Sequence, residues 1–215
     1  MSKRGETYAD GGDAAEPPTG RFGCVVELTQ GQQLRVERAD GTPLREVRLG
    51  LGWDKERNAG FIGSGAPDVD LDATAVQFAG DQLFDLAFYN NLATRDGSVV
   101  HLGDNKTGAG EGDDEQLTLD LSKVYHRVDT IVLMVSSYQG HSLEWVANAY
   151  CRLLDGLDDD ATEVARYTLT AGPPETGVVM AKLTRDGAGW TLHTIGRGIA
   201  AKVPTDAIDL LRAFV

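Results

Sequence analysis

The chain has 215 residues, enough to bury a sizeable core within one domain. A formal charge of −13 and an isoelectric point near 4.6 argue against a nucleic-acid binder, which needs clustered Lys and Arg, and against adhesion to an anionic membrane. Two cysteines, Cys24 and Cys151, without a CxxC motif are too few for a disulfide scaffold and wrongly patterned for structural zinc. His101, His126, His141 and His193 are scattered and read as ordinary surface or core histidines. Residues 1–22 are polar, with no apolar h-region, and read as a flexible tail ahead of one domain at 23–215. No stretch approaches a membrane span, so a reduced, cytoplasmic protein is expected.

Short strand patterns then follow one another. Cys24–Thr29 and Gln32–Arg38 lead into Ala39-Asp40-Gly41, a hairpin-type turn signal. Leu44–Trp53 places Val47, Leu49 and Leu51 on one face, while Gly50 and Gly52 mark either a bulge or a close backbone approach. Asn58–Pro67 is glycine-rich and loop-like. Asp68–Ala79 and Gln82–Tyr89 form the next pair, and Asp96-Gly97 turns into Ser98–Leu102. Gln116–Leu121 alternates strictly, with Leu117, Leu119 and Leu121 on one side. Ile131–Val135 is apolar on both faces, as a central covered strand requires. Ser142–Ala147 reads as a short helical turn. Asn148–Leu154, Val164–Thr170, Val178–Leu183 and Trp190–Ile195 are further strands, the last two flanking the hairpin signal Arg185–Gly189. Only the end looks helical: Pro204 suits a first turn, Asp206 complements the N-terminal dipole, and Ile208, Leu211 and Val215 share a face. The pattern predicts an all-β, antiparallel β-sandwich of about ten strands with a short C-terminal helix.

Acid is concentrated in two places. Gly103–Glu115 sets Asp104, Glu111, Asp113, Asp114 and Glu115 among closely spaced glycines with only Lys106 to offset them. Hard oxygen ligands on a pliable loop suit Ca²⁺, which takes about 6–8 oxygens at roughly 2.3–2.6 Å. In Asp68-Val69-Asp70-Leu71-Asp72-Ala73, strand alternation sends Val69, Leu71 and Ala73 to the core and lines Asp68, Asp70 and Asp72 along the other face. Successive carboxylates would then lie about 6.6–6.8 Å apart. They would repel by roughly 0.6 kcal/mol in water and roughly 2.5 kcal/mol at an effective dielectric of 20. A wet edge strand that blocks aggregation explains the row without a metal. The two acidic elements together favour a cation, and with Asn90, Asn91, Asn105, Thr107 and backbone carbonyls as neutral donors they suit two Ca²⁺ better than one. The loop is not an EF-hand, because Lys106 and Gly108 occupy its third and fifth positions and no helices flank it. Mg²⁺ fits less well, since it demands a rigid octahedron with retained waters.

Gly50-Leu51-Gly52-Trp53-Asp54, Asp70-Leu71-Asp72-Ala73, Phe88-Tyr89-Asn90-Asn91 and the Gly103–Gly108 run followed by Glu111–Glu115 resemble the TerD family of tellurium-resistance and stress proteins. Ser137–Gly140 and Asn148–Leu153 look closer to its TerZ-like branch, and Ala165–Tyr167 and the Trp190 hairpin also fit. The resemblance covers roughly residues 24–200 in matching order. It implies a Ca²⁺-binding β-sandwich with a role in bacterial resistance to tellurite and other stresses. It also implies membrane-associated assemblies with partner proteins of the same gene clusters. Carried over by position, the metal residues come from Asp70 and Asp72 with Asp68 beside them, from Asn90 and Asn91, and from the loop that holds Asp104, Asn105, Thr107, Gly108, Glu111, Asp113, Asp114 and Glu115; Asp54 is a further candidate. Lys106 stands where many relatives are apolar, and the tail has no counterpart in the family.

The leading expectation is a non-enzymatic module whose calcium-ordered loops are read by a partner. P-loop, dinucleotide and GxSxG motifs are missing from the sequence. Direct capture of tellurite is unattractive because this acidic face repels an oxyanion. Cys24 and Cys151 read as buried hydrophobes rather than reductants. A hydrolase built on the same carboxylates is the alternative, and a metal-free acidic scaffold for a basic partner is a third reading.

Overall fold

A computed structural model describes residues 25–55, 70–103, 112–169 and 171–215. The described residues form twelve strands rather than about ten. They are β1 (Val26–Leu28), β2 (Gln33–Arg35), β3 (Glu46–Lys55), β4 (Asp72–Ala79), β5 (Gln82–Ala87), β6 (Val99–His101), β7 (Glu115–Asp120), β8 (Thr130–Ser136), β9 (Val146–Asp155), β10 (Thr162–Thr168), β11 (Gly177–Asp186) and β12 (Gly189–Ile199). One helix, α1 (Pro204–Leu211), follows. The strands divide into two six-stranded sheets, β1-β10-β9-β3-β7-β6 and β2-β12-β11-β8-β4-β5. Every pairing is antiparallel except β1 with β10.

Alternation places the core. Leu117 and Leu119 of β7 and Leu49 and Leu51 of β3 meet Leu133, Met180, Leu183 and Trp190 of the second sheet in one apolar layer. β8 is buried along its whole length, since both its faces are covered. Its outward residues Val132 and Met134 join Val76, Phe78 and Val179 in a second, smaller core, which Ala207 and Leu211 of α1 close. The helix starts on Pro204 as the sequence predicts, but Val215 lies beyond its end and is exposed, so the third member of the expected apolar face is not part of the small core.

The turns hold where their chemistry is unambiguous. Gly41, Gly97 and Gly187 all adopt positive φ in their predicted turns. Ser142 caps a short 3₁₀ turn at Leu143–Trp145, accepting from the Glu144 amide at 3.3 Å. β4 begins at Asp72, four residues later than the pattern suggests, so Asp70 and Leu71 precede the strand. Leu71 and Ala73 nevertheless face the core, while Thr74 and Val76 alternate to the outer side, the side Asp72 shares. The expected tail, the Asn58–Pro67 loop and Cys24 lie outside the described residues.

Candidate functional site

The described candidates gather at one end of the sandwich. In the second sheet, Asp72 pairs with Ser136, and the start of β4 lies beside the end of β5 through Ala75 and Ala87. The tight turn that follows, closed by reciprocal backbone bonds between Phe88 and Asn91, therefore sits at the same end with Asn90 and Asn91 exposed on it. Asn91 Nδ2 donates to Leu86 O at 2.6 Å, which fixes that side chain and leaves Oδ1 as its acceptor atom. In the first sheet, β7 starts at Glu115 beside Leu51 of β3. The two sheets meet where Glu115 Oε2 accepts from the Ala73 amide at 3.3 Å.

Consecutive acids 113–115 point in three directions. Asp113 lies on the outer face of the first sheet, with its side chain wholly buried. Arg152 of β9 grips it as a fork, Nε to Oδ1 at 2.7 Å and the outer guanidinium nitrogen to Oδ2 at 3.0 Å. Gln116 Nε2 donates to Oδ2 at 3.2 Å, and Tyr150 Oη lies 3.1 Å from Oδ1 and 3.0 Å from Gly112 O. The glycines of β3 make room for this: a Cβ on Gly50 would overlap the Asp113 carboxylate, and one on Gly52 would overlap the Tyr150 ring. The ladder to β9 also shifts register between Gly52 and Asp54, so both sequence readings of these glycines hold.

Asp114 turns to β3. Its amide donates to Leu51 O at 2.7 Å, and its Oδ2 accepts from the Trp53 amide at 2.9 Å. Burial raises the Asp114 pKa; the Trp53 hydrogen bond opposes that, and the charges of Asp113, Asp54 and Glu115 add to the rise. Glu115 turns inward, 1 % exposed, with His101 Nε2 2.8 Å from Oε2. Gly103 N donates to His101 Nδ1 at 3.2 Å, which holds the ring beside Glu115.

The outer network continues from Arg152 to Glu163 at 2.9 Å and from Glu163 to Arg166 at 2.8 Å, while the Arg166 guanidinium lies 4.3 Å from the Tyr150 ring centroid. Burial would raise Glu163, but hydrogen bonds from Arg166 and Arg152 outweigh it and hold the carboxyl below its usual range. Arg152 is raised, chiefly by its bond to Asp113. Burial and then the Asp113 charge push the Tyr150 phenol up to about 12, so it remains a donor. Cys151, next along β9, points into the core and is raised to about 12 by burial, which makes it an inert hydrophobe at neutral pH.

Of the residues expected to hold metal, the structure brings Asp70, Asp72, Asn90, Asn91, Asp113, Asp114 and Glu115 to one end of the molecule. Asp68, Asp104, Asn105, Thr107, Gly108 and Glu111 lie outside the described residues. Among the described residues no three Asp, Glu, His or Cys side chains converge to hold an ion. Asp54, the further candidate, accepts from Asn148 Nδ2 at 2.7 Å. Sequence reasoning missed His101, Tyr150 and Arg152. The Gly50-x-Gly52 spacing was the signal for the last two, since glycines two apart on a strand clear one face for something bulky. Nothing in the sequence marked His101.

The domain model for the TerD domain matches residues 24–205. Tellurium resistance protein TerD of Serratia marcescens is 38% identical over 186 residues, 81% of this chain and 91% of its own. Tellurium resistance protein TerZ of the same organism is 32% identical over 85% of this chain and 94% of its own. The crystal structure of a homologue of telluride resistance protein (TerD) from Streptomyces coelicolor A3(2) superposes with a TM-score of 0.61 at 20% identity, covering 77% of this chain and 95% of that one, a likeness of fold. Among the described residues no helix is long and apolar enough to cross a membrane.

Proposed function

The chain belongs to the TerD family, and from that premise we propose that it is a non-enzymatic calcium-binding module in bacterial resistance to tellurite and chemical stress. The observation that carries this reading is geometric: the buried acids Asp114 and Glu115 sit at the end of the sandwich that also holds Asp70, Asp72, Asn90 and Asn91. Such a cluster is costly without a counter-ion, and a divalent cation relieves it. The donor chemistry fits Ca²⁺: carboxylates from Asp70, Asp72, Asp114 and Glu115, amide oxygens from Asn90 and Asn91, and the acids Asp104 and Glu111 of the neighbouring sequence. Calcium supplies charge neutralisation and loop order. The protein's own residues fix the frame around it: Trp53 through its amide, His101 through Glu115, and Leu51 through the Asp114 amide.

The ordered loops are then a surface for partner proteins of the tellurium-resistance and stress clusters. Exposed aromatic area supports this. Tyr138, 59% exposed, stands two residues beyond the Ser136–Asp72 pair, with Tyr89 edge-on at 6.2 Å.

Calorimetric titration of chelator-stripped protein tests the proposal. Binding is expected at a Kd of about 10⁻⁷–10⁻⁵ M, as for sensor sites. At a calcium concentration about 1,000 times the Kd, mass action adds about 4 kcal/mol of stability and the melting temperature rises. No heat and no thermal shift at millimolar calcium would overturn it.

A further inference from the structure

We infer that Asp113 is an anchor of the acidic segment and not one of its calcium ligands, and that Arg152 and Tyr150 are positioning residues that set the calcium affinity. The inference rests on the calcium reading above. Its structural half can be checked without the metal.

The sequence makes Asp113 look like any other acid of the loop. The geometry separates it. Both carboxylate oxygens are committed: Oδ1 to Arg152 Nε and to Tyr150 Oη, Oδ2 to the outer guanidinium nitrogen of Arg152 and to Gln116 Nε2. The side chain is wholly buried between its partners and the bare backbone of Gly50. A ligand role would need a dication to enter beside a guanidinium at hydrogen-bond distance, against direct charge repulsion. An anchoring role needs nothing further. The one Tyr150 Oη proton is shared between Asp113 Oδ1 and Gly112 O, so the clamp holds main chain as well as side chain next to the start of β7. From there Asp114 and Glu115 are placed, one on the Trp53 amide and one on the Ala73 amide. Glu163 backs the clamp by holding the far side of Arg152 and Arg166 together. Arg152 and Tyr150 act one residue removed from Asp114 and Glu115, and the loss of groups that orient metal ligands typically lowers metal affinity about 10–100-fold.

The two roles predict opposite signs for one substitution. If Asp113 is an anchor, Arg152→Gln releases the segment and weakens calcium binding about 10-fold or more, with Asp113→Asn similar and the double variant no weaker than either alone. If Asp113 is a ligand, Arg152→Gln frees its carboxylate and removes a competing positive charge, so calcium binds more tightly. Arg152→Lys keeps the charge without the fork and should recover only part of the affinity. Glu163→Gln, which leaves the clamp's own contacts in place, should have a smaller effect in the same direction.

The metal-free readout is hydrogen exchange of the Asp114 amide, which donates to Leu51 O. In calcium-free protein the clamp predicts a loss of protection at Asp114 of about tenfold or more in Arg152→Gln, with the β8 and β11 amides unchanged. Wild-type protein that binds no calcium while Arg152→Gln still loses this protection would end the calcium reading and leave the anchor standing. Unchanged protection, or tighter calcium binding by Arg152→Gln, would overturn the anchor.

Discussion

Gly50→Ala is the sharpest perturbation the fold offers, because its cost is set by one neighbour. The backbone at Gly50 is ordinary strand, so the added methyl meets no conformational penalty and would by itself gain about 0.5–1 kcal/mol over glycine. Its Cβ, however, overlaps the Asp113 carboxylate, which four side-chain hydrogen bonds hold in place. Displacing that carboxylate breaks a buried ion pair, for which about 3–5 kcal/mol is usual. Arg152 keeps Glu163 and is 23% exposed, which lowers the expected loss to about 2–4 kcal/mol. Urea unfolding of a double-mutant cycle measures it, from midpoints at unchanged m. In the Asp113→Ala background the same Gly50→Ala change should be neutral or slightly stabilising, giving a coupling of about 2–4 kcal/mol. Equal costs in both backgrounds, within about 0.5 kcal/mol, would refute the reasoning.

Two further outcomes follow from other parts of the molecule. Phe78 is fully buried in the small core beneath α1, so Phe78→Ala should cost about 3–5 kcal/mol in urea unfolding; a loss under about 1 kcal/mol would mean that α1 is not seated there. Asp96 is raised by burial, but the Tyr125 and Ser98 amides and the Ser98 and Thr94 hydroxyls outweigh this and hold its folded pKa below the unfolded value. Its stabilisation is therefore complete above about pH 5 and is lost as the pH falls through the folded pKa. The stability gap between wild type and Asp96→Asn should narrow from pH 5 towards pH 2, and a gap that widens there contradicts the assignment.

The layered fold was legible because the chain obeys period two almost everywhere. β7 is the plainest case, its leucines alternating inward, and β8 reads as central because nothing polar interrupts it. The start of β4 was misjudged for a physical reason: Asp70-Leu71-Asp72 alternates like a strand, but ladder bonds to β8 begin only at Asp72. The parallel pairing of β1 with β10 joins segments almost 140 residues apart and leaves no local trace. At the candidate site the sequence named the acids but not their fates. A run of carboxylates specifies charge, whereas which of them meets Arg152, Trp53 or His101 depends on register between strands far apart in the chain. Gly50 and Gly52 carried part of that information, as space rather than as chemistry.

The three directions taken by residues 113–115 give the order Asp-Asp-Glu a meaning that net charge does not capture. The short carboxylate at 113 fits the depth left by a missing side chain on β3, and the one at 114 reaches a main-chain amide on the same strand. Only the longer arm at 115 crosses the gap to the opposite sheet. Exchanging the Asp and the Glu would preserve composition and pI and still leave one arm too long for its slot and another too short for its span. The segment is a set of lengths, cut to the spacing of the two sheets it pins together.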